Sequence, residues 1–245
     1  MTNDRYTSLP RTARADTITV RSLIDKVQRG EVRVPNFQRP LRWRAGDVRL
    51  LFDSIYRGYP IGSLLMWRQQ QPAARVKVAW TTVDAAETTQ AWLVVDGQQR
   101  VTALAGALSE LSGRERAEAR PWQLYFDTRN EEFVSGTPSE ADRESCVPMV
   151  TLGDLRRLGR WARDCDPDAA ALDRAAEAQR RILDYEIPLY IVESDDESAL
   201  RGAFARINST GARMRADEVF HALFHDAATG SFDLTALGRV CEQQG

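Results

Sequence analysis

The chain has 245 residues and a formal net charge of -2, with 43% hydrophobic and 28% charged residues. This balance is typical of a folded globular protein and excludes a disordered chain, because enough apolar side chain is present to offset the entropy of ordering. The near-neutral charge excludes a uniformly basic nucleic-acid coat, although it allows a local basic face.

Targeting and redox signals are absent from the sequence. Its first residues lack the basic and apolar pattern of a secretory signal, and its apolar runs are too short to cross a bilayer. Three widely spaced cysteines (Cys146, Cys165 and Cys241) without a C-x-x-C pair argue against a disulfide framework or a zinc site. We therefore expect a cytoplasmic protein that does not associate with membranes.

Hydrophobic periodicity predicts an irregular alternation of helices and strands. Residues 1–16 are polar and basic without periodicity, which predicts a flexible N-terminal arm. Asp166 as the N-cap and Pro167 in the first turn predict the start of the helix Asp168–Leu183. This order of elements predicts an α+β fold with a small mixed sheet. The predicted helices are Val20–Val27, Val48–Tyr56, Gln98–Leu108, Thr151–Trp161, Asp168–Leu183, a helix that follows Ser194 and ends near Ile207, and a last helix from about Ala216 to about Phe224. The predicted strands are Val32–Val34, Gly62–Trp67, Arg75–Val83, Ala91–Val95, Trp122–Asp127, Glu132–Val134 and Ile187–Val192.

The first candidate site lies where a predicted buried strand ends. That strand delivers Asp96 to its exposed end, and Gly97 lets the backbone turn tightly or approach a ligand. Gln98, Gln99 and Arg100 then occupy the first turn of a helix, where unpaired N–H groups and the helix dipole favour an anion. Asp96 can hold a metal ion or orient a water, and the guanidinium of Arg100 matches phosphate oxygens. The alternative, which spacing alone favours, is an Asp-Gly turn with Arg100 in a structural ion pair.

The second candidate is an arginine-rich loop that follows the first predicted strand. Five arginines of this loop and its flanks are interleaved with Phe37 and Trp43, namely Arg33, Arg39, Arg42, Arg44 and Arg49. Guanidinium groups with aromatic rings between them can contact phosphates and stack on bases. The alternative is that the aromatic rings pack in the core and the arginines are solvated.

The third candidate lies at the end of a predicted helix near residue 207. Arg206 and Asn208 bring polar groups to this helix end, and Gly211 permits a left-handed turn. These groups can form a second wall for a phosphate or ribose site. The alternative is a capped helix end whose side chains bond their own backbone.

Taken together, the three segments resemble a known family. They are Val34-Pro-Asn-Phe-Gln-Arg-Pro-Leu-Arg-Trp43, Asp96-Gly-Gln-Gln-Arg100 and Phe204-Ala-Arg-Ile-Asn-Ser-Thr-Gly211, in the family's order and at roughly its spacing over about residues 17–226. The family is the N-terminal domain of GmrSD-type modification-dependent restriction enzymes, which also occurs in phosphorothioate-sensing defence proteins.

This resemblance implies a ParB/sulfiredoxin-like core, with a small mixed sheet flanked by helices and with additional helices. It also implies a domain that binds and hydrolyses GTP or ATP, with Mg²⁺ as a further cofactor, and that senses modified DNA. Asp96, Gln98, Gln99 and Arg100 match the family's hydrolytic motif, Arg39 and Trp43 match its Gln-Arg-x-x-x-Trp loop, and Asn208 and Gly211 match its Asn-x-x-Gly turn. With their neighbours, these residues define the expected sites. We expect Asp96, Gln98, Gln99 and Arg100 to be catalytic, Asp96 to bind metal, Gly97, Arg206, Asn208 and Gly211 to bind the nucleotide, and Arg39, Arg42, Trp43 and Arg44 to bind DNA.

The sequence departs from this family pattern in one respect. The family usually adds a C-terminal nuclease domain with an H-N-H metal motif, and nothing in these 245 residues resembles it. We therefore expect that this chain alone does not cut DNA, that residues 227–245 begin a linker, and that the nuclease is a further domain or subunit. A ParB-like DNA-binding module without hydrolysis and an interaction scaffold remain as alternatives, and a homodimer stays open.

Overall fold

The structure, a computed structural model, describes residues 11–34, 43–78, 81–110, 123–136 and 138–193. The mixture of helices and strands within these residues confirms the predicted α+β class. The strands are β1 (Arg11–Thr19), β2 (Val32–Arg33), β3 (Leu64–Gln71), β4 (Ala74–Val78), β5 (Thr81–Ala85), β6 (Thr88–Asp96), β7 (Leu124–Asp127), β8 (Glu132–Ser135), β9 (Cys146–Pro148) and β10 (Glu186–Glu193). The α-helices are α1 (Val20–Gln28), α2 (Ala45–Tyr56), α3 (Gln98–Leu108), α4 (Met149–Leu152), α5 (Leu155–Cys165) and α6 (Ala169–Leu183), and a 3-10 turn spans Glu140–Asp142.

The central sheet has five strands in the order β1-β10-β3-β6-β2. Parallel and antiparallel pairs alternate across it, since β1 runs antiparallel to β10, β10 parallel to β3, β3 antiparallel to β6, and β6 parallel to β2. A β4–β5 hairpin and a three-stranded β8-β7-β9 sheet complete the strands of the described residues. The sheet is therefore mixed, as the sequence predicts.

The middle strands of this sheet are buried on both faces. Leu64 and Met66 of β3 belong to the main hydrophobic core, which also contains the apolar stripes of α1, α2 and α3. Leu65 and Trp67 belong to a second buried cluster together with alternate residues of β6. Because successive side chains of a strand point to opposite faces, this burial explains the nearly continuous apolar runs in these strands.

The predicted N-terminal arm is wrong for residues 11–16. These residues form the first part of β1, which pairs with β10 through contacts such as Ile18 with Ile187. The strand lies at the edge of the sheet, and most of its described side chains are exposed, so its sequence shows little apolar alternation. Main-chain hydrogen bonds to β10 supply the pairing that the side-chain pattern does not reveal. Residues 1–10 lie outside the described residues.

Three other predicted elements differ in detail. The segment Arg75–Val83 belongs to the β4–β5 hairpin rather than to one strand. The helix predicted over Thr151–Trp161 is divided into α4 and α5, because the Asp154 carboxylate accepts two backbone N–H bonds and starts a new helix. Helix α6 is capped by Asp168, not Asp166. None of the helices in the described ranges combines the length and hydropathy needed to cross a bilayer.

Candidate functional site

The first motif lies at the junction between β6 and α3, as its sequence predicts. Strand β6 ends at Asp96, which pairs with Leu65 of β3, whereas Val94 pairs with Met66. Val95 is therefore an extra residue in the ladder, a one-residue bulge of the kind that re-aims side chains beside functional sites. The side chain of Asp96 is 44% exposed at this end of the sheet.

Gly97 allows the chain to pass directly from strand to helix. Its φ of +91° lies in the left-handed region, where a residue with a Cβ is strained. A Cβ at this position would collide with Cδ2 of Leu64, so the space beside the backbone is also closed. Helix α3 then begins at Gln98, and its first-turn N–H groups have no acceptor within the helix. The positive end of the helix dipole lies here.

The guanidinium of Arg100 is held between the Asp96 carboxylate, the Ile61 carbonyl and the backbone of Gly62, and we call this position the Arg100 seat. Its Nη2 donates to Oδ2 of Asp96 at 3.2 Å, and its Nη1 donates to the carbonyl oxygen of Ile61 at 3.1 Å. The side chain is only 16% exposed. Gly62 has a φ of +85°, and a Cβ there would lie 2.6 Å from Nη1 of Arg100. Absence of a side chain at Gly62 therefore makes room for the guanidinium.

Arg100 and Asp96 form an ion pair that reaches the protein surface. Burial lowers the pKa of the Arg100 guanidinium, while the charge of Asp96 and its hydrogen bond act in the opposite direction. An arginine remains protonated in proteins, so the seat holds a fixed positive charge. Because Asp96 is 44% exposed, the pair is not sealed in the interior.

The end of the arginine-rich segment contacts this junction. The backbone N–H of Trp43 donates to Oε1 of Gln99 at 3.2 Å, so the structure brings the second and first motifs together. The Trp43 ring is half-buried and packs against the main core, which favours the packing interpretation of this ring. Arg44 is exposed, and its backbone N–H donates to Oδ2 of Asp47 at 2.7 Å at the start of α2.

Several predicted site residues lie outside the described residues, so their positions relative to the junction stay predictions. They are Arg39 and Arg42 of the arginine-rich loop and Arg206, Asn208 and Gly211 of the third segment. Gln98 is described and lies half-buried in the first turn of α3.

A metal ion at this junction would depend on Asp96. Within the described part of the chain, no group of three or more His, Cys, Asp or Glu side chains is placed to hold a metal. Mg²⁺ needs fewer protein ligands, because it is commonly bound by one or two carboxylates together with substrate phosphates and waters. A half-exposed Asp96 at a helix N-terminus can supply one such carboxylate.

The Ile61 carbonyl and Gly62 are parts of the site that the sequence prediction missed. The predicted strand Gly62–Trp67 includes Gly62, whereas β3 begins at Leu64. A glycine two residues before a buried strand is a weak signal of a special backbone conformation. Its partner Arg100 is 39 residues away from Ile61, so the contact itself carries no sequence signature.

Comparison with known families covers most of the chain. The family model described as the GmrSD restriction endonuclease, N-terminal domain, matches residues 20–225. The matched range includes the β6–α3 junction and the arginine-rich loop. No curated protein matches the chain.

Proposed function

This chain belongs to the family of GmrSD restriction endonuclease N-terminal domains, and from that premise we propose that it binds and hydrolyses GTP or ATP at the β6–α3 junction. We propose in addition that DNA, including modified DNA such as phosphorothioate DNA, regulates this turnover in an antiviral restriction system. The observation that carries the proposal is the seated guanidinium of Arg100 beside a half-exposed Asp96 at a helix N-terminus.

The anionic tail of the nucleotide would meet two sources of positive potential. Arg100 has five N–H donors, of which its contacts with described residues use two. The first-turn amide of Gln98 adds a backbone donor at the positive end of α3. Donors that are fixed before the substrate arrives stabilise charge that develops on a transferring phosphoryl group.

Asp96 supplies the negative charge of the proposed site. In the proposal it holds Mg²⁺ against the phosphates or orients the attacking water, and its pairing with Arg100 fixes its position. A bound Mg²⁺ would neutralise charge on the phosphate oxygens. Glutamine amides beside Asp96 are suited to bind a water or a base without adding charge.

DNA sensing requires a physical link between the DNA-contacting segment and the nucleotide. The hydrogen bond from Trp43 to Gln99 supplies a candidate for that link, because it joins the end of the arginine-rich segment to the first turn of α3. A displacement of Trp43 by bound DNA would therefore act on Gln99. Turnover measured with matched modified and unmodified duplexes tests this part of the proposal.

Hydrolysis of GTP and ATP by the wild type, Asp96→Ala and Arg100→Ala tests the site assignment. We expect turnover to fall about 100-fold or more in each variant, the scale found when a preorganised charge-stabilising donor is removed. Asp53→Ala and Arg57→Ala are the controls, because these residues form an aspartate–arginine pair of the same i,i+4 spacing at the C-terminal end of α2. Wild-type turnover in both site variants would refute the assignment.

A ParB-like DNA-binding module without hydrolysis is the second candidate function. The observation that favours it is that Arg100 is already bonded to Asp96 and to the Ile61 carbonyl, which suits a static grip on a phosphate. This alternative predicts salt-dependent DNA binding with no turnover of any nucleotide. A pure scaffold predicts neither activity, and a large loss of melting temperature in Asp96→Ala.

A further inference from the structure

Helix α5 carries three exposed arginines on the face opposite to the core. Arg156, Arg160 and Arg163 are exposed, whereas Leu158 and Trp161 of the same helix are buried. At 3.6 residues per turn the three arginines fall within about 60° of one another around the helix axis. We call Arg156, Arg160 and Arg163 the arginine face.

The arginine face has no acidic partner among the residues that the structure describes. Other arginines do: Arg157 of the same helix donates to Glu110 at 2.8 Å and to the Val150 carbonyl at 3.2 Å. Arg156 and Arg160 repel each other at i,i+4, and Arg156 stands in the first helical turn, where the dipole disfavours a cation. Arg163 stands in the last turn, where the dipole favours a cation, and Asp164 follows Arg160 by four residues. The face therefore presents three exposed guanidinium groups that make no ion pair with a described residue, and these groups can bind an anionic partner.

Gly159 leaves the helix surface beside the arginine face without a side chain. Glycine is a poor helix former, yet it stands in the middle of α5 beside the arginines. A Cβ at Gly159 would lie 3.8 Å from Nη1 of Arg163, which shows that the Arg163 side chain lies back along the helix over the glycine. The Arg163 guanidinium thus lies over a stretch of backbone without a side chain, where a broad partner can approach closely.

We propose that the arginine face binds the phosphate backbone of duplex DNA, without reading its sequence. Four and seven helical residues span about 6 Å and about 10.5 Å, and duplex DNA presents one negative charge per about 1.7 Å of its axis. Three guanidinium forks can therefore each reach a separate phosphate oxygen. The inference rests on the DNA-sensing part of the proposed function, and it adds a contact surface on a helix outside the arginine-rich loop.

The test measures binding of the full chain to a fluorescent, unmodified duplex of about 30 base pairs over about 50 to 200 mM salt. One variant replaces the arginine face by three alanines. The control variant has the same net charge and replaces exposed arginines that are paired with carboxylates elsewhere. These control positions are Arg21, Arg29 and Arg57.

Loss of three phosphate contacts lowers the slope of log affinity against log salt by about 2.7, and the affinity near 0.1 M salt by more than about 100-fold. The control variant is expected to keep the wild-type slope to within about 0.9, the value of one contact. Lysine at the three positions should keep most of the slope, because the charge is retained, and unchanged thermal melting of each variant shows that α5 still folds.

Equal slopes for wild type and the arginine-face variant would overturn the proposal, as would absence of DNA binding by the wild type. Nucleotide turnover measured without DNA distinguishes failure of this inference from failure of the proposed hydrolysis. If the wild type hydrolyses nucleotide and the arginine-face variant binds DNA normally, only this inference is wrong. If the wild type hydrolyses nothing but the slope falls as expected, the inference stands and the hydrolytic assignment is wrong.

Discussion

Replacement of Gly62 by alanine tests whether the Arg100 seat depends on the missing side chain. Gly62 has a φ of +85°, and its new Cβ would lie 2.6 Å from Nη1 of Arg100 and 3.5 Å from Cζ. Because the guanidinium is the far end of a flexible side chain, it is expected to swing away and lose its bond to the Ile61 carbonyl.

The expected loss of unfolding free energy in Gly62→Ala follows from comparison with Gly58→Ala. Gly58 has a φ of +74°, and nothing lies within 4 Å of a Cβ built there. Each alanine therefore carries the left-handed strain, about 1 kcal/mol, and only Gly62→Ala also displaces a charged donor. A hydrogen bond from a charged group contributes about 1.5 to 3 kcal/mol, so we expect Gly62→Ala to lose about 1.5 kcal/mol more than Gly58→Ala.

Urea denaturation measures the loss of stability, and nucleotide turnover measures the loss of function. The free energies of unfolding of Gly62→Ala and Gly58→Ala should differ by about 1.5 kcal/mol. Turnover should fall at least about 10-fold in Gly62→Ala, because the phosphate-stabilising charge has moved. Gly58→Ala should keep wild-type turnover. Equal stability losses with unimpaired turnover in Gly62→Ala would refute the idea that Gly62 makes room for a functional guanidinium.

Two further predictions concern residues away from the site. Arg33, which the sequence groups with the phosphate-contacting arginines, is instead only 5% exposed and donates to three backbone carbonyls at 2.8 to 3.1 Å. Arg33→Met should therefore lower the free energy of unfolding by about 3 kcal/mol, because three buried carbonyls lose their donor. A loss below about 1 kcal/mol in urea denaturation would contradict this structural role. Burial and the hydrogen bond to Glu131 raise the pKa of Tyr56 from 10.0 to about 12, so its stabilising contribution is present below pH 10 and lost as the pH rises towards 12. Tyr56→Phe should therefore flatten the alkaline decline of the melting temperature, and an unchanged decline would show that this phenol does not titrate as stated.

Local patterns could be predicted from the sequence with good accuracy. Helix α3 begins and ends at the predicted residues because a fully apolar strand, an Asp-Gly break and a helical apolar stripe follow one another without ambiguity. The apolar stripe of α2 is buried as predicted for the same reason. In these elements, residues close in the chain determine the conformation.

Contacts between distant segments could not be predicted. The Ile61 carbonyl reaches Arg100 across 39 residues, and the Trp43 amide reaches Gln99 across 56. Backbone groups carry no residue-type signature, so only the folded structure reveals that they face these side chains. Strand β1 was unpredictable for a related reason, since its partner is β10, at the far end of the described chain.

The central claim is that the first turn of α3 binds the phosphates of a nucleotide, and amide NMR of the isotope-labelled chain tests it most directly. Titration with GTP, ATP or the corresponding nucleoside should shift the backbone amides of Gly97, Gln98 and Gln99 with the triphosphates and leave them in place with the nucleoside. The shifts should vanish in Arg100→Ala. Equal shifts with nucleoside and triphosphate, or shifts confined to other segments, would contradict the account.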